Sequence, residues 1–196
     1  MNDDYVNAVQ LLLQVAPAVF DTPVFAMKGG TAINLFLQDV PRLSVDIDVV
    51  FLPHEPSRAE ALEVIGIELT AAQRRVAALG FDASLRKAKE GNEAKMFVRN
   101  SDAEVKIEVN FVFRGTVLPP GRRSLTAAAQ QMFSADIEVP VLATPELYGS
   151  KLVAALDRQH PRDLFRCAVD VGRRRLGRSV AGLLRRLPCR AQPANA

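Results

Sequence analysis

Cysteine and histidine are scarce in this chain of 196 residues: two of each, Cys167 and Cys189, His54 and His160. Two distant cysteines make no disulfide framework, and without a matching histidine pair they make no thiolate or imidazole metal site. Each histidine sits beside a loop proline and has no partner at catalytic spacing. Long apolar runs are also missing. Leu11 to Val15 is followed at once by Pro17, and Asp3 and Asp4 stand where a leader would carry positive charge. The expectation is a cytoplasmic protein with neither signal peptide nor membrane span. Glycine is placed sparingly too: the later glycine of a dinucleotide fingerprint is absent, as is the Gly-Lys-Ser/Thr of a Walker loop. No internal repeat is found.

Charge is unevenly spread. The formal net charge is +3, yet residues 166–196 hold eight arginines against the single acid Asp170, a surplus of +7, so the first 165 residues carry −4. The basic character belongs to the tail and says little about the folded body. With 48% hydrophobic residues, the chain has enough apolar surface for a core without staples.

What is present converges on two short stretches. Lys28-Gly29-Gly30-Thr31 follows a strand-like segment, residues 24–27, and precedes a helical pattern running from Thr31 to Leu37. Its glycines allow main-chain N–H groups to approach phosphate, and the helix start adds its positive end. Then Arg42-Leu43-Ser44-Val45-Asp46-Ile47-Asp48 leads into Val49-Val50-Phe51. Alternation puts Asp46 and Asp48 on one strand face. Adjacent carboxylates repel, and a hard divalent cation such as Mg²⁺ or Mn²⁺ resolves that cost while carrying substrate phosphates. Ser44 fits either a phosphate contact or a turn cap.

Further along, residues 4–16 read as a helix ended near Pro17, and residues 58–79 as a long helix interrupted at Gly66 and capped by Gly80. Residues 81–87, 93–99 and 104–113 read as strands of a hairpin or meander, and 115–124 as a loop. Residues 125–133 fit no single state, 137–142 form a strand, and Thr144-Pro145-Glu146 starts a helix that runs to Leu156. On the strand 104–113, Val105, Ile107, Val109 and Phe111 face one way and Lys106, Glu108 and Asn110 the other. Glu108 would complete a three-carboxylate set if its strand lies beside the Asp46 strand; a solvated edge face explains the same pattern. Lys95, Arg42, Lys151 and Arg158 are cationic candidates for a triphosphate.

Together these motifs resemble the AbiEii/AbiGii nucleotidyltransferase toxins of the DNA polymerase beta-like superfamily, in the family's order across residues 24–165. The last of them reads Glu146-Leu147-Tyr148, then Lys151, Arg158 and Arg162-Asp163-Leu164. The resemblance implies an α/β (α+β) fold, a mixed sheet with flanking helices and a shortened helical C-terminal lobe. It divides the chain into a catalytic core (1–124), a C-terminal strand and helical part (125–175) and an Arg-rich tail (176–196). It implies metal-dependent transfer of a nucleoside monophosphate from an NTP to an acceptor, tRNA in related enzymes, with an antitoxin as partner. By motif, Asp46, Asp48 and Glu108 would hold metal, and Gly29, Gly30, Thr31, Ser44, Lys95 and Lys151 would bind the nucleotide. Lys151 and Asp163 would organise the triphosphate. The family's last motif continues after Leu-Phe with an acid, where this chain has Arg166. Two alternatives stay open: transfer to a small hydroxylated acceptor of the aminoglycoside type, and a silent nucleotide- or antitoxin-binding remnant.

Overall fold

The computed structural model describes residues 3–38, 44–87 and 93–158. The chain divides into two compact units, Met1–Leu142 and Ala143–Ala196. The first is built on a seven-stranded mixed sheet with helices. In chain order its elements are α1 (Asp3–Val19), β1 (Phe25–Lys28), α2 (Gly29–Phe36), β2 (Ile47–Phe51), α3 (Arg58–Ala78) and β3 (Asp82–Lys87). They continue with β4 (Glu93–Arg99), β5 (Glu104–Arg114), β6 (Gly121–Ser124), α4 (Ala127–Phe133) and β7 (Glu138–Val141). The second unit contributes α5 (Thr144–Arg158).

The sheet runs in the order β3-β4-β5-β2-β1-β7-β6. Strands β3, β4 and β5 form the expected antiparallel meander. Strand β5 then lies parallel to β2, with Ile47 opposite Ile107 and Asp48 opposite Glu108, while β2 and β1 are antiparallel. Alternation makes one face of this centre apolar: Ile47, Val49, Met96, Val98, Val105, Ile107 and Val109 are fully buried. Helices α1 and α3 contact each other, and their buried positions include Val9, Leu12, Ala16, Ile65, Leu69 and Val76. Helix α1 also contacts β5, and α3 contacts β3 and β4. The apolar spacing that marks them as helices is thus the stripe each one buries.

Four local readings change. Helix α1 does not stop at Pro17 but continues to Val19, and the Phe20 N–H donates to the Ala16 carbonyl at 3.0 Å. Burial of Val15, Ala16, Val19 and Phe20 outweighs the one bond the proline removes. Helix α2 begins at Gly29 and not at Thr31. Gly66 does not interrupt α3, which runs unbroken from a Ser57 and Glu60 capping box. Within the loop expected at 115–124, residues Gly121–Ser124 form β6, a short exposed edge strand paired with β7. Helix α5 starts at Thr144 with Pro145 in its first turn, and the Leu147 N–H donates to the Ala143 carbonyl at 3.0 Å. Asp163 and the Arg-rich tail lie outside the described residues, as do Arg42 and the turn expected at 88–92.

Candidate active site

The site is assembled on the sheet face opposite the core, across four neighbouring strands, at the end of β1 and the start of β2. Strand β1 ends on Lys28, which stands opposite Asp48 of β2. Asp48 stands opposite Glu108 of β5, and Glu108 opposite Lys95 of β4. Directly paired residues share a face, so a lysine, two acids and a second lysine form one row across the sheet. The adjacency of the Glu108 strand to the Asp48 strand is the condition on which the three-acid reading depended. It is met.

The glycine turn is shaped by this row. Gly29 has φ of +81°, a region open to glycine at little cost, and a Cβ placed there would lie 2.0 Å from Asp48 Oδ2. No other side chain fits between that backbone and the carboxylate. Gly30 is less constrained, since its Cβ would meet Ser44 Oγ at 3.3 Å. Thr31 is fully buried. Its hydroxyl donates to the Asp46 main-chain carbonyl at 2.6 Å and lies 2.9 Å from Ser44 Oγ. Thr31 and Ser44 therefore tie the start of α2 to the segment entering β2, and fix Asp46 beside Asp48.

Lysines neutralise the acids. Lys106 Nζ lies 2.9 Å from Glu108 Oε2 and 3.3 Å from Asp46 Oδ2, and Lys95 Nζ lies 2.8 Å from Glu108 Oε1. Burial pushes the Asp48 carboxyl above its usual range; Lys28 opposes that, while Glu108 and Asp46 add to it. Burial also lowers Lys28, against the pull of Asp48. For Glu108, burial acts upward, but the bonds from Lys95 and Lys106 outweigh it and hold the carboxyl below its ordinary value. The hydrogen bond to Glu108 raises Lys106, against burial and with help from Asp46. Asp46, by contrast, has a side chain 50% exposed.

Residues 10–165 match the family model described as the nucleotidyl transferase AbiEii toxin of type IV toxin-antitoxin systems. The chain belongs to the AbiEii family. Among solved structures this AbiEii chain is similar to MenT4, a nucleotidyltransferase toxin from Mycobacterium tuberculosis H37Rv, with a TM-score of 0.51 and 19% identity. The match covers 76% of this chain and 51% of that one, so the AbiEii chain spans about half the length of the solved protein. At that identity the likeness speaks for the fold. No curated protein matches.

Of the residues picked out by motif, Gly29, Gly30, Thr31, Ser44, Asp46, Asp48, Lys95 and Glu108 fall together in the first unit of the AbiEii chain. Lys151 lies on α5 in the second unit, half-buried. Two residues of the cluster were not singled out, Lys28 and Lys106. The signal for Lys106 was its place two residues before Glu108 on an alternating strand. For Lys28 it was the position immediately before Gly29. As the side chains stand, no group of three or more His, Cys, Asp or Glu among the described residues is set to hold a metal ion. Lys106 bridges Asp46 and Glu108. Among the described residues no helix is long and apolar enough to cross a membrane.

Proposed function

We propose that this chain is a nucleotidyltransferase that moves a nucleoside monophosphate from an NTP to an acceptor, with tRNA as the acceptor class. It would act as the toxin of a toxin-antitoxin pair in the cytoplasm, an antitoxin being its protein partner. The observation that carries this reading is the direct pairing of Asp48 with Glu108 on neighbouring parallel strands, beside a glycine whose missing side chain makes room for the Asp48 carboxylate. Family membership supplies the reaction class.

The donor set suits a hard divalent cation, Mg²⁺ or Mn²⁺. All three candidate ligands are carboxylates, and the missing side chain of Gly29 makes room for one of them, Asp48. Asp46, Asp48 and Glu108 would hold it, and bound there it would supply Lewis-acid charge to the phosphates and make the acceptor hydroxyl more acidic. The rest falls to the protein. The acceptor oxygen attacks the α-phosphorus, the bond from that phosphorus to the bridging oxygen breaks, and pyrophosphate leaves. The hydroxyl proton passes to water on the exposed side of Asp46. Gly29 and Gly30 admit the phosphates close to the main chain, and Lys95 offers positive charge from the neighbouring strand. Thr31 and Ser44 hold the Asp46 segment in place. Lys151, as a triphosphate contact, and Asp163, as an organiser of the site, enter through their match to the last family motif.

Pyrophosphate release from each of the four NTPs with Mg²⁺, with and without bulk tRNA, tests this function, using Asp46→Asn as control. Release that needs tRNA and is lost in the variant is the expected result; full release by a folded Asp46→Asn protein would overturn it. Release driven by an aminoglycoside instead of tRNA would reassign the acceptor. Triphosphate binding with no release would identify a silent binding protein.

A further inference from the structure

Lys106 holds a place that ordinary surface pairing does not explain. It precedes Glu108 by two residues on β5, so both project from one face. Ile107 is level with Ile47 across the parallel strands, and the residues just before them, Lys106 and Asp46, meet through their side chains. Its ammonium bonds Glu108 Oε2 at 2.9 Å and Asp46 Oδ2 at 3.3 Å, bridging an acid on β5 and one in the segment entering β2. The other Glu108 oxygen, Oε1, is taken by Lys95 at 2.8 Å. A lone exposed pair contributes little and needs no second partner. Here one cation serves two carboxylates, which is the work a bound divalent ion would do.

Resting on the nucleotidyltransferase reading above, we infer that Lys106 is a built-in counter-ion. It occupies Asp46 and Glu108 in the free protein, yields them to a divalent cation, and turns its ammonium to the triphosphate that arrives with that cation. The electrostatics give the consequence its sign. A bare cation must compete with Lys106 for the same oxygens, and two positive charges a few ångströms apart repel. A triphosphate removes the competition by giving the ammonium an anionic partner. Metal and triphosphate then favour each other's binding, and the coupling is reciprocal. Lys106 is on this account a positioning residue that makes the site receptive to the metal-triphosphate complex and poor at retaining metal alone.

The test reads binding and not turnover, and uses the full chain. Mn²⁺ affinity is measured by electron paramagnetic resonance, and affinity for preformed Mn²⁺-tripolyphosphate by calorimetry, for wild type, Lys106→Met and Lys106→Gln. The two affinities should move in opposite directions. Removing the ammonium tightens Mn²⁺ alone about ten-fold and weakens the anionic complex about ten-fold, within the usual range for coupled sites. Lys106→Arg, which keeps the charge, should stay near wild type in both. A structural role alone would move both affinities the same way, and that result, or no change in either, would overturn the proposal. If Mn²⁺ binds neither wild type nor variants, alone or with tripolyphosphate, the metal-dependent function itself falls and the counter-ion role with it.

Discussion

The two faces of β2 and β5 differ by one residue of register and by everything in chemistry. Ile47, Val49, Ile107 and Val109 point into the core and are fully buried. Asp48 and Glu108 alternate with them and point the other way, into a field of lysines. The core face is satisfied by the fold itself: apolar atoms meet apolar atoms and nothing further is required. The other face stays at a cost, because burial and neighbouring acids push the Asp48 carboxyl up, and three lysines are spent on keeping the acids charged. Strands that are satisfied by apolar packing on one side and by lysine–carboxylate pairs on the other separate stability from the chemistry of the site.

Substitutions on opposite faces should therefore break different properties. Ile107→Ala, on the core face, should cost about 2–5 kcal/mol of stability by leaving a cavity, read by chemical denaturation, while activity per folded molecule holds. Gly29→Ala should follow, costing about 1–3 kcal/mol in backbone strain at positive φ and, because its Cβ would overlap Asp48 Oδ2, abolishing transfer. Gly30→Ala meets only the Ser44 side chain, with Oγ at 3.3 Å, and should weaken transfer less than Gly29→Ala does, so paired assays of the two variants sharpen the contrast. Thr126→Ala, which removes the oxygen accepting from the Ala129 N–H at the start of α4, should lower stability by about 1 kcal/mol with transfer unchanged.

The smallest effect is one of pH. Glu108 is held below its ordinary value of 4.5, so the folded protein binds that proton less readily than the unfolded chain. The stabilisation is complete above the ordinary value and is lost as pH falls through the lowered one. Acid unfolding of metal-free Glu108→Gln should lack this contribution. Identical acid limbs in the two proteins would show that the lysine pairs do not support the fold.

Much of this was legible in the sequence because period-2 alternation is strong where one strand face is apolar. It set Asp46 close to Asp48, although β2 begins only at Ile47 and Asp46 precedes it, put Glu108 on the face away from Val105, Ile107 and Val109, and marked the β3-β4-β5 meander. The short edge strand β6 was not legible: Gly121-Arg122-Arg123-Ser124 has no buried face, and its pairing with β7 is a long-range event with no local pattern. The end of α1 was misread because a proline rule is local, whereas the burial that carries the helix past Pro17 is tertiary. Lys28 and Lys106 stood within the motifs but were given no role, for a related reason. A lysine on a polar strand face looks solvated until the neighbouring strand places an acid against it.

The most direct test of the central claim is to assay Asp48→Asn for transfer of a radiolabelled α-phosphate from NTP to RNA, with a melting curve on the same sample. The account predicts a folded protein with a cooperative melt and no labelled product. A folded Asp48→Asn protein that labels RNA as wild type does would show that the row of lysines and acids across β1, β2, β5 and β4 is not the catalytic site.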